Sequence, residues 1–321
     1  MTAAPATAAA SEPLLEIESV DVALGRGWRA ATILRGIDLR IWPGELVGLV
    51  GETGSGKTTL ARTVTGLIRP SRGRVVFGGT VISALRGGAR RAERRRGHLQ
   101  LVFQDPLRSL DPDMTVAGIV AEGLKIRGGL GQEEISRRVL AALEKVGLDA
   151  TLLSRTPGQI SGGQRQRVSI ARALAAGPRL LLCDEPVSAL DASNRNHVLR
   201  LLAELRDSLG LSIVIISHDL SSLAGIADRV IVLYRGRIVE DGPVGQVFAA
   251  PRHPYTALLM ASAPSVQHDR PLTAHQLRRT RADPEPPPGP DACVFAPRCP
   301  FAIDACATQP ALEPVSGRWV A

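Results

Sequence analysis

The stretch Gly51-Glu52-Thr53-Gly54-Ser55-Gly56-Lys57-Thr58 decides the reading of this chain. It follows the apolar run Leu46-Val47-Gly48-Leu49-Val50 and precedes a predicted helix over Thr58–Leu67, which is the strand–loop–helix setting of a phosphate-binding loop. The glycines let the backbone fold into a nest of N–H groups, and the helix N-terminus adds positive field. Lys57 brings a point charge toward β- and γ-phosphates, and the Thr58 hydroxyl is placed for Mg²⁺. With Thr59 carrying the loop into the helix, residues 51–59 read as a site for a nucleoside triphosphate and its metal.

Working outward, three short apolar runs follow one rule. Leu46–Val50, Leu180–Cys183 and Ile213–Ile216 each end in a chemically special residue. Such runs suit parallel strands buried on both faces. Ligands of open parallel sheets gather outside the carboxyl ends of the strands. Lys57, the Asp184–Glu185 pair and His218 are therefore expected at one edge. An acid at the end of a buried strand is costly unless it meets a cation or leaves the core. Asp184 is expected to reach Mg²⁺, and Glu185 to act beside the γ-phosphate as a general base or water-orienting group. Gln104 follows Leu101-Val102-Phe103 and is read as the end of another strand.

Ser161-Gly162-Gly163-Gln164 opens a predicted helix running to about Ala175, and Ser…Gln three apart is a capping-box pattern. Capping accounts for the serine and the glutamine. It leaves the glycines unexplained, since each costs the first turn roughly 1 kcal/mol relative to Ala. Bare backbone there suits close approach of a phosphate.

Further strands are predicted at Leu15–Val22, Ile33–Ile41, Glu45–Val50 and Arg74–Phe77, punctuated by Pro43-Gly44 and Gly78-Gly79. Gln132–Val146 carries Ile135, Val139, Leu143 and Val146 on one helical face. Gly87–Arg96, with five arginines in ten residues, reads as a solvated surface segment. Residues 1–13 read as a disordered leader, 14–250 as the main domain and 251–321 as a separate C-terminal region. Within the last, Pro251–Pro264 holds a short helix, Arg278–Pro290 is a Pro- and Arg-rich linker, and Cys293–Ala321 is a small cysteine-bearing module.

Composition narrows the class without choosing a function. Apolar residues make up 44 % of 321, enough for a sizeable core, while aromatics are only 3 %, so packing must be aliphatic. A net charge of +8 permits nucleic acid or an anionic membrane surface as partner. No window approaches the roughly 18–20 apolar residues of a membrane span, and Met1–Pro13 lacks the marks of a signal peptide. The expectation is a soluble chain in the reducing cytosol that reaches a membrane only through a partner.

These segments, in this order, resemble the ATP-binding-cassette (ABC) ATPase family from Leu14 to about Phe248. Gly51–Thr58 is similar to its Walker A motif, Gln104 to the Q-loop and Ser161–Gln164 to the signature, here introduced by Ile160 rather than leucine. Leu180–Glu185 resembles Walker B with its catalytic glutamate, Ser188–Asp191 the D-loop, and His218 the switch histidine. The resemblance implies an α/β fold: a parallel-sheet core with an antiparallel β subdomain and a helical subdomain. It also implies catalysis by Glu185, His218 and Gln104, and Mg²⁺ held through Thr58, Gln104 and Asp184. Ser161, Gly162, Gly163 and Gln164 would contact ATP bound by a partner cassette. The family stacks adenine on an aromatic where this chain has Leu24, and Trp28, four residues on, is the expected substitute.

Gln104-Asp105-Pro106, Ser109–Pro112, Pro251–Thr256 and the segment Cys293–Cys306 further resemble the ATPase subunits of oligopeptide, dipeptide and nickel importers. That implies a subunit on the cytoplasmic face of a bacterial plasma membrane. It would pair with a second ATPase subunit, two permeases and an external solute-binding protein, with no nucleic acid expected. Nickel or another small solute, and a non-transport cassette acting on DNA or ribosomes, stand as the alternatives to peptide import. Some members bind a four-iron cluster through four C-terminal cysteines. Cys293, Cys299 and Cys306 fit that pattern, but the fourth cysteine, expected after Trp319-Val320-Ala321, is missing. A [4Fe-4S] cluster, zinc with an outside ligand, and no metal are the readings left open.

Overall fold

In the computed structural model, residues 12–25, 31–188, 190–262 and 291–321 are described. The strands are β1 (Leu15–Leu24), β2 (Ala31–Ile41), β3 (Leu46–Val50), β4 (Arg72–Phe77), β5 (Thr80–Val81), β6 (Leu99–Val102), β7 (Leu180–Asp184), β8 (Ser212–Ser217), β9 (Arg229–Tyr234), β10 (Arg237–Pro243), β11 (Glu313–Val315) and β12 (Arg318–Val320). The helices are α1 (Lys57–Val64), α2 (Gly87–Arg96), α3 (Pro106–Ser109), α4 (Val116–Arg127), α5 (Gln132–Lys145), α6 (Gly162–Ala175), α7 (Ala192–Leu209), α8 (Val244–Ala249) and α9 (Pro254–Ser262).

The large sheet runs β11-β12-β10-β9-β3-β8-β7-β6. The ladders from β9 through β3, β8 and β7 to β6 are parallel. Its central strands are buried on both faces, and each alternates between two cores. On β3, Leu46 and Val50 join one apolar cluster while Val47 and Leu49 join the other. Leu181 and Cys183 of β7 oppose Leu180 and Leu182 in the same way, as do Ile213 and Ile215 of β8 against Val214 and Ile216. This period of two is what a continuously apolar strand conceals in sequence.

One cluster lies beneath the antiparallel sheet β2-β1-β4-β5 and α1. The other holds α4, α5 and α6, which pack on one another between β6 and β7 as the helical subdomain. The residues from 291 to 321 are joined to the large sheet and share its core. Cys293, Val294, Phe295 and Cys299 belong to the helical-side cluster, and β12 pairs with β10 at Glu240↔Val320 and Asp241↔Trp319. A buried ion pair fixes that junction: Arg318 lies 3.2 Å from Glu240, and neither is more than 5 % exposed. The arginine-rich segment is the helix α2, with no buried residue. The leader to Ser11 and the linker 278–290 lie outside the described residues.

Candidate active site

The phosphate loop leaves β3 at Val50 through glycines with positive φ at Gly51 (156°), Gly54 (85°) and Gly56 (109°). The space at Gly51 is closed as well: a Cβ there would lie 2.1 Å from the Leu233 carbonyl oxygen. Lys57, 5 % exposed, donates to the carbonyls of Gly51 (2.7 Å) and Glu52 (2.9 Å) and so spans its own loop. Burial pushes its ammonium below the usual lysine range, against the pull of Glu185, Asp184 and Glu52. Ser55 Oγ is buried with no hydrogen-bond partner. A buried orphan hydroxyl beside a nest of N–H groups is satisfied by a phosphate oxygen. Thr53 and Gly54 are exposed at the tip, and Thr58 and Thr59 are half-buried on the first turn of α1.

The acids at the end of β7 divide their work by geometry. Asp184 accepts from the Thr58 hydroxyl at 3.2 Å and is 4 % exposed. Burial raises its carboxyl above the usual range, with the Thr58 hydrogen bond opposing. A hard cation between hydroxyl and carboxylate would offset that cost, so the pair suits Mg²⁺. Glu185 turns the other way. Its backbone takes φ 46°, unusual for a residue other than glycine, and its N–H donates to the Ile216 carbonyl at 3.0 Å. The turn is fastened by Ser188, whose hydroxyl donates to the Glu185 carbonyl at 3.1 Å. The carboxylate stands between two side chains, accepting from Gln104 Nε2 at 2.7 Å and lying 3.3 Å from His218 Nδ1.

Gln104, Thr58 and Asp184 line one recess of about 720 Å³. With Nε2 committed to Glu185, the Gln104 Oε1 is the amide atom left for a metal. Lys57, Asp184, Glu185, Gln104 and His218 thus converge at the carboxyl edge of the sheet. Such an edge can hold a polyphosphate, bind its metal, and offer a carboxylate to take a proton from an attacking water.

The Ser161–Gln164 turn has the capping box that its spacing predicts: Gln164 N–H donates to Ser161 Oγ (3.2 Å), and Ser161 N–H to Gln164 Oε1 (2.8 Å). Its two glycines have different explanations. At Gly163 a Cβ would lie 3.0 Å from Asn194 Oδ1, so packing against α7 accounts for it. At Gly162 nothing lies within 4 Å, and Ser161 and Gly162 are both exposed. No hydrogen bond joins this turn to Lys57, Asp184 or Glu185 among the described residues.

Two expectations fare differently. Trp28 lies outside the described residues; Leu24, at the end of β1, is 40 % exposed. The cluster ligands do not assemble. Among the described residues no group of three or more His, Cys, Asp or Glu side chains is placed to hold a metal. Cys293 and Cys299, each 7 % exposed, pack into the apolar core with Cys306 against its rim, and a Cys293 N–H to Cys306 carbonyl bond of 2.9 Å closes the segment. The residues present therefore do not fit an iron–sulfur cluster. Cys183 is fully buried in β7, and burial pushes its thiol up.

Sequence reasoning gave no site role to Tyr234, nor to Tyr255 and Arg298, which it cited only within segments carrying a resemblance. Tyr255 OH accepts the Glu52 N–H at 2.8 Å, and Arg298 grips the Glu52 carboxylate at 2.8 and 3.1 Å. A signal existed in the glutamate itself, since an anion inside a phosphate loop opposes the phosphate unless a cation offsets it. Tyr234 closes β9, a fourth apolar run ending at the same edge.

Known proteins resemble this chain over most of its length. Residues 34–188 match the ABC transporter family, and residues 239–306 match the oligopeptide/dipeptide transporter C-terminal region. A Brucella ovis protein named as a peptide import ATP-binding protein is 46 % identical over 282 residues, spanning 87 % of this chain and 88 % of its own. This chain belongs to the ABC transporter family. The oligopeptide transport ATP-binding protein OppF of Escherichia coli is 42 % identical over 293 residues, covering 89 % of this chain and 86 % of OppF. Among solved structures, the ATP-binding cassette MJ0796, a post-hydrolysis dimer bound to ADP and Pi, superposes with a TM-score of 0.65 at 30 % identity, over 72 % of this chain and 98 % of that one. The fold is that of an ABC ATPase cassette, and the enzyme is an ATPase. No helix among the described residues is long and apolar enough to cross a membrane.

Proposed function

We propose that this ABC ATPase energises the import of di- or oligopeptides, as a peripheral subunit at the cytoplasmic face of a bacterial plasma membrane. The observation that carries the catalytic reading is the Glu185 carboxylate, held between Gln104 and His218 beside the Lys57 loop. In this reading Glu185 takes the proton of the attacking water, and Gln104 fixes the carboxylate's direction. His218 steadies the same carboxylate and stands ready for a phosphate oxygen. Thr58 and Asp184, with Gln104 Oε1, would hold Mg²⁺, which supplies charge neutralisation at the phosphates. Trp28 is the proposed adenine platform.

The exposed turn at Ser161 and Gly162 supports a composite site, in which a second ATPase subunit presents the same kind of turn to the γ-phosphate. ATP then holds two cassettes together and hydrolysis releases them, a two-state element biased by one phosphate. Peptide as cargo rests on the match of residues 239–306 and on the names of the relatives. Two permeases and an external binding protein complete the proposed assembly.

Affinity capture of the tagged chain from detergent-solubilised membranes tests this, followed by ATPase assays of what is recovered. Permease subunits should co-purify, and a peptide-loaded binding protein should raise turnover several-fold. Recovery without any membrane protein, together with salt-sensitive binding to DNA, would overturn the transport reading.

A further inference from the structure

Two parts of the C-terminal region meet on a single residue of the phosphate loop. Arg298 makes a two-pronged contact with the Glu52 carboxylate at 2.8 and 3.1 Å, across 246 residues of sequence. Tyr255, on α9, accepts the Glu52 N–H. Arg298 also reaches the hydroxyl of Tyr234 at 3.4 Å. The Glu52 carbonyl is in turn a seat for the Lys57 ammonium at 2.9 Å. Every polar group of Glu52 is thus engaged, by the C-terminal region on one side and by the loop on the other.

The arginine is held in place before any ligand arrives. Its guanidinium lies 5.8 Å from the Tyr234 ring centre and 5.9 Å from that of Phe295. Phe295 is 1 % exposed and packs at 5.3 Å from Tyr234 and 5.5 Å from Tyr255. The Arg298 N–H closes a turn onto the Phe295 carbonyl at 2.9 Å. The hydrogen bond to Glu52 is also the chief influence raising the guanidinium above its ordinary range.

Glu52 is a liability in its position. A carboxylate inside a loop that receives a polyphosphate repels it, and its charge also acts on Lys57 from a distance. We propose that Arg298 is a positioning residue for nucleotide: it neutralises Glu52 and fixes the loop, so that ATP affinity depends on the folded C-terminal segment around Phe295 and Cys299. This rests on the reading of residues 51–59 as the nucleotide site.

The test is equilibrium binding of Mg–ATPγS to the full chain, with Lys57→Ala as a control that should abolish it. Arg298→Gln keeps much of the aliphatic stem on Tyr234 and Phe295 but removes the charge. It should raise Kd about tenfold, the effect of one uncompensated like charge near the surface. Glu52→Gln with Arg298→Gln should return Kd to within about threefold of the parent, because the repelling charge is gone. Glu52→Gln alone, which removes the repelling carboxylate and leaves the Arg298 cation beside the loop, should bind more tightly than the parent. A merely structural arginine would leave the double variant as weak as Arg298→Gln. That result would overturn the proposal, as would an Arg298→Gln Kd within twofold of the parent, or a Glu52→Gln variant that binds tenfold more weakly. If the parent shows no saturable binding that Lys57→Ala removes, the nucleotide-site reading itself falls, and this inference with it.

Discussion

Replacing Glu185 with glutamine isolates the proton-accepting role from everything else the residue does. The change is isosteric, and glutamine meets the same backbone strain at φ 46° as glutamate. The amide Oε1 can still accept from Gln104, now at 2.7 Å, so the geometry should survive. What disappears is the basic oxygen and the attraction to His218, 3.3 Å away. A positioned general base contributes about 10²–10⁴ in rate, or about 3–5 kcal/mol of barrier at roughly 1.4 kcal/mol per decade. Single-turnover phosphate release by the purified assembly should slow by two orders of magnitude or more. Nucleotide affinity should hold or improve, because an anion beside Lys57 has been removed. A variant that releases phosphate within tenfold of the parent rate would refute the assignment of Glu185 as base.

Ser161→Arg places a bulky cation on the exposed turn; it should leave ATP binding by the lone chain within about twofold and cut turnover of the assembly by at least tenfold. An unchanged assembly rate would count against partner contact at that turn. His253 accepts the Tyr255 N–H through Nδ1 at 3.1 Å, and burial pushes its pKa down to about 4. The unfolded chain, at about 6.5, binds the proton first, so the contribution of His253 is complete above pH 6.5 and is lost as pH falls toward 4. Denaturant midpoints of the parent should decline over that window, and His253→Asn, a non-titrating acceptor, should flatten the decline; equal slopes would exclude His253 as its source. Arg318→Ala leaves the fully buried Glu240 carboxylate without its cation, held by the N–H groups of Arg252 and His253, and should cost about 3 kcal/mol, read by denaturation and by proteolysis of the C-terminal hairpin. A loss under about 1 kcal/mol would contradict the pair's role as the junction.

Much of the site was legible in sequence because its signals are local. The loop glycines, the apolar runs and the Ser161–Gln164 cap each declare themselves within a few residues, and the strand-end rule brought Lys57, Glu185 and His218 to one edge. The strand starts were legible to within a few residues, and α6 starts where its capping box indicates. What sequence concealed was long-range. The union of β12 with β10, the Arg318–Glu240 pair and the Arg298 grip on Glu52 leave no periodic trace, because each partner alone is an ordinary surface type. The cysteine trio left its role open for the opposite reason: its spacing suits ligation, while the fold sends two of its thiols into an apolar core. Gly163 shows how one motif can mix causes, with packing against Asn194 at one glycine and open surface at its neighbour.

The composite nucleotide site is the claim on which the rest depends, and a structure of the Glu185→Gln assembly trapped with ATP measures it directly. The account predicts the Ser161–Gln164 turn of one subunit within about 3.2 Å of a γ-phosphate held by the facing subunit's phosphate loop. An ATP-loaded assembly in which that turn faces solvent, away from any nucleotide, would contradict it.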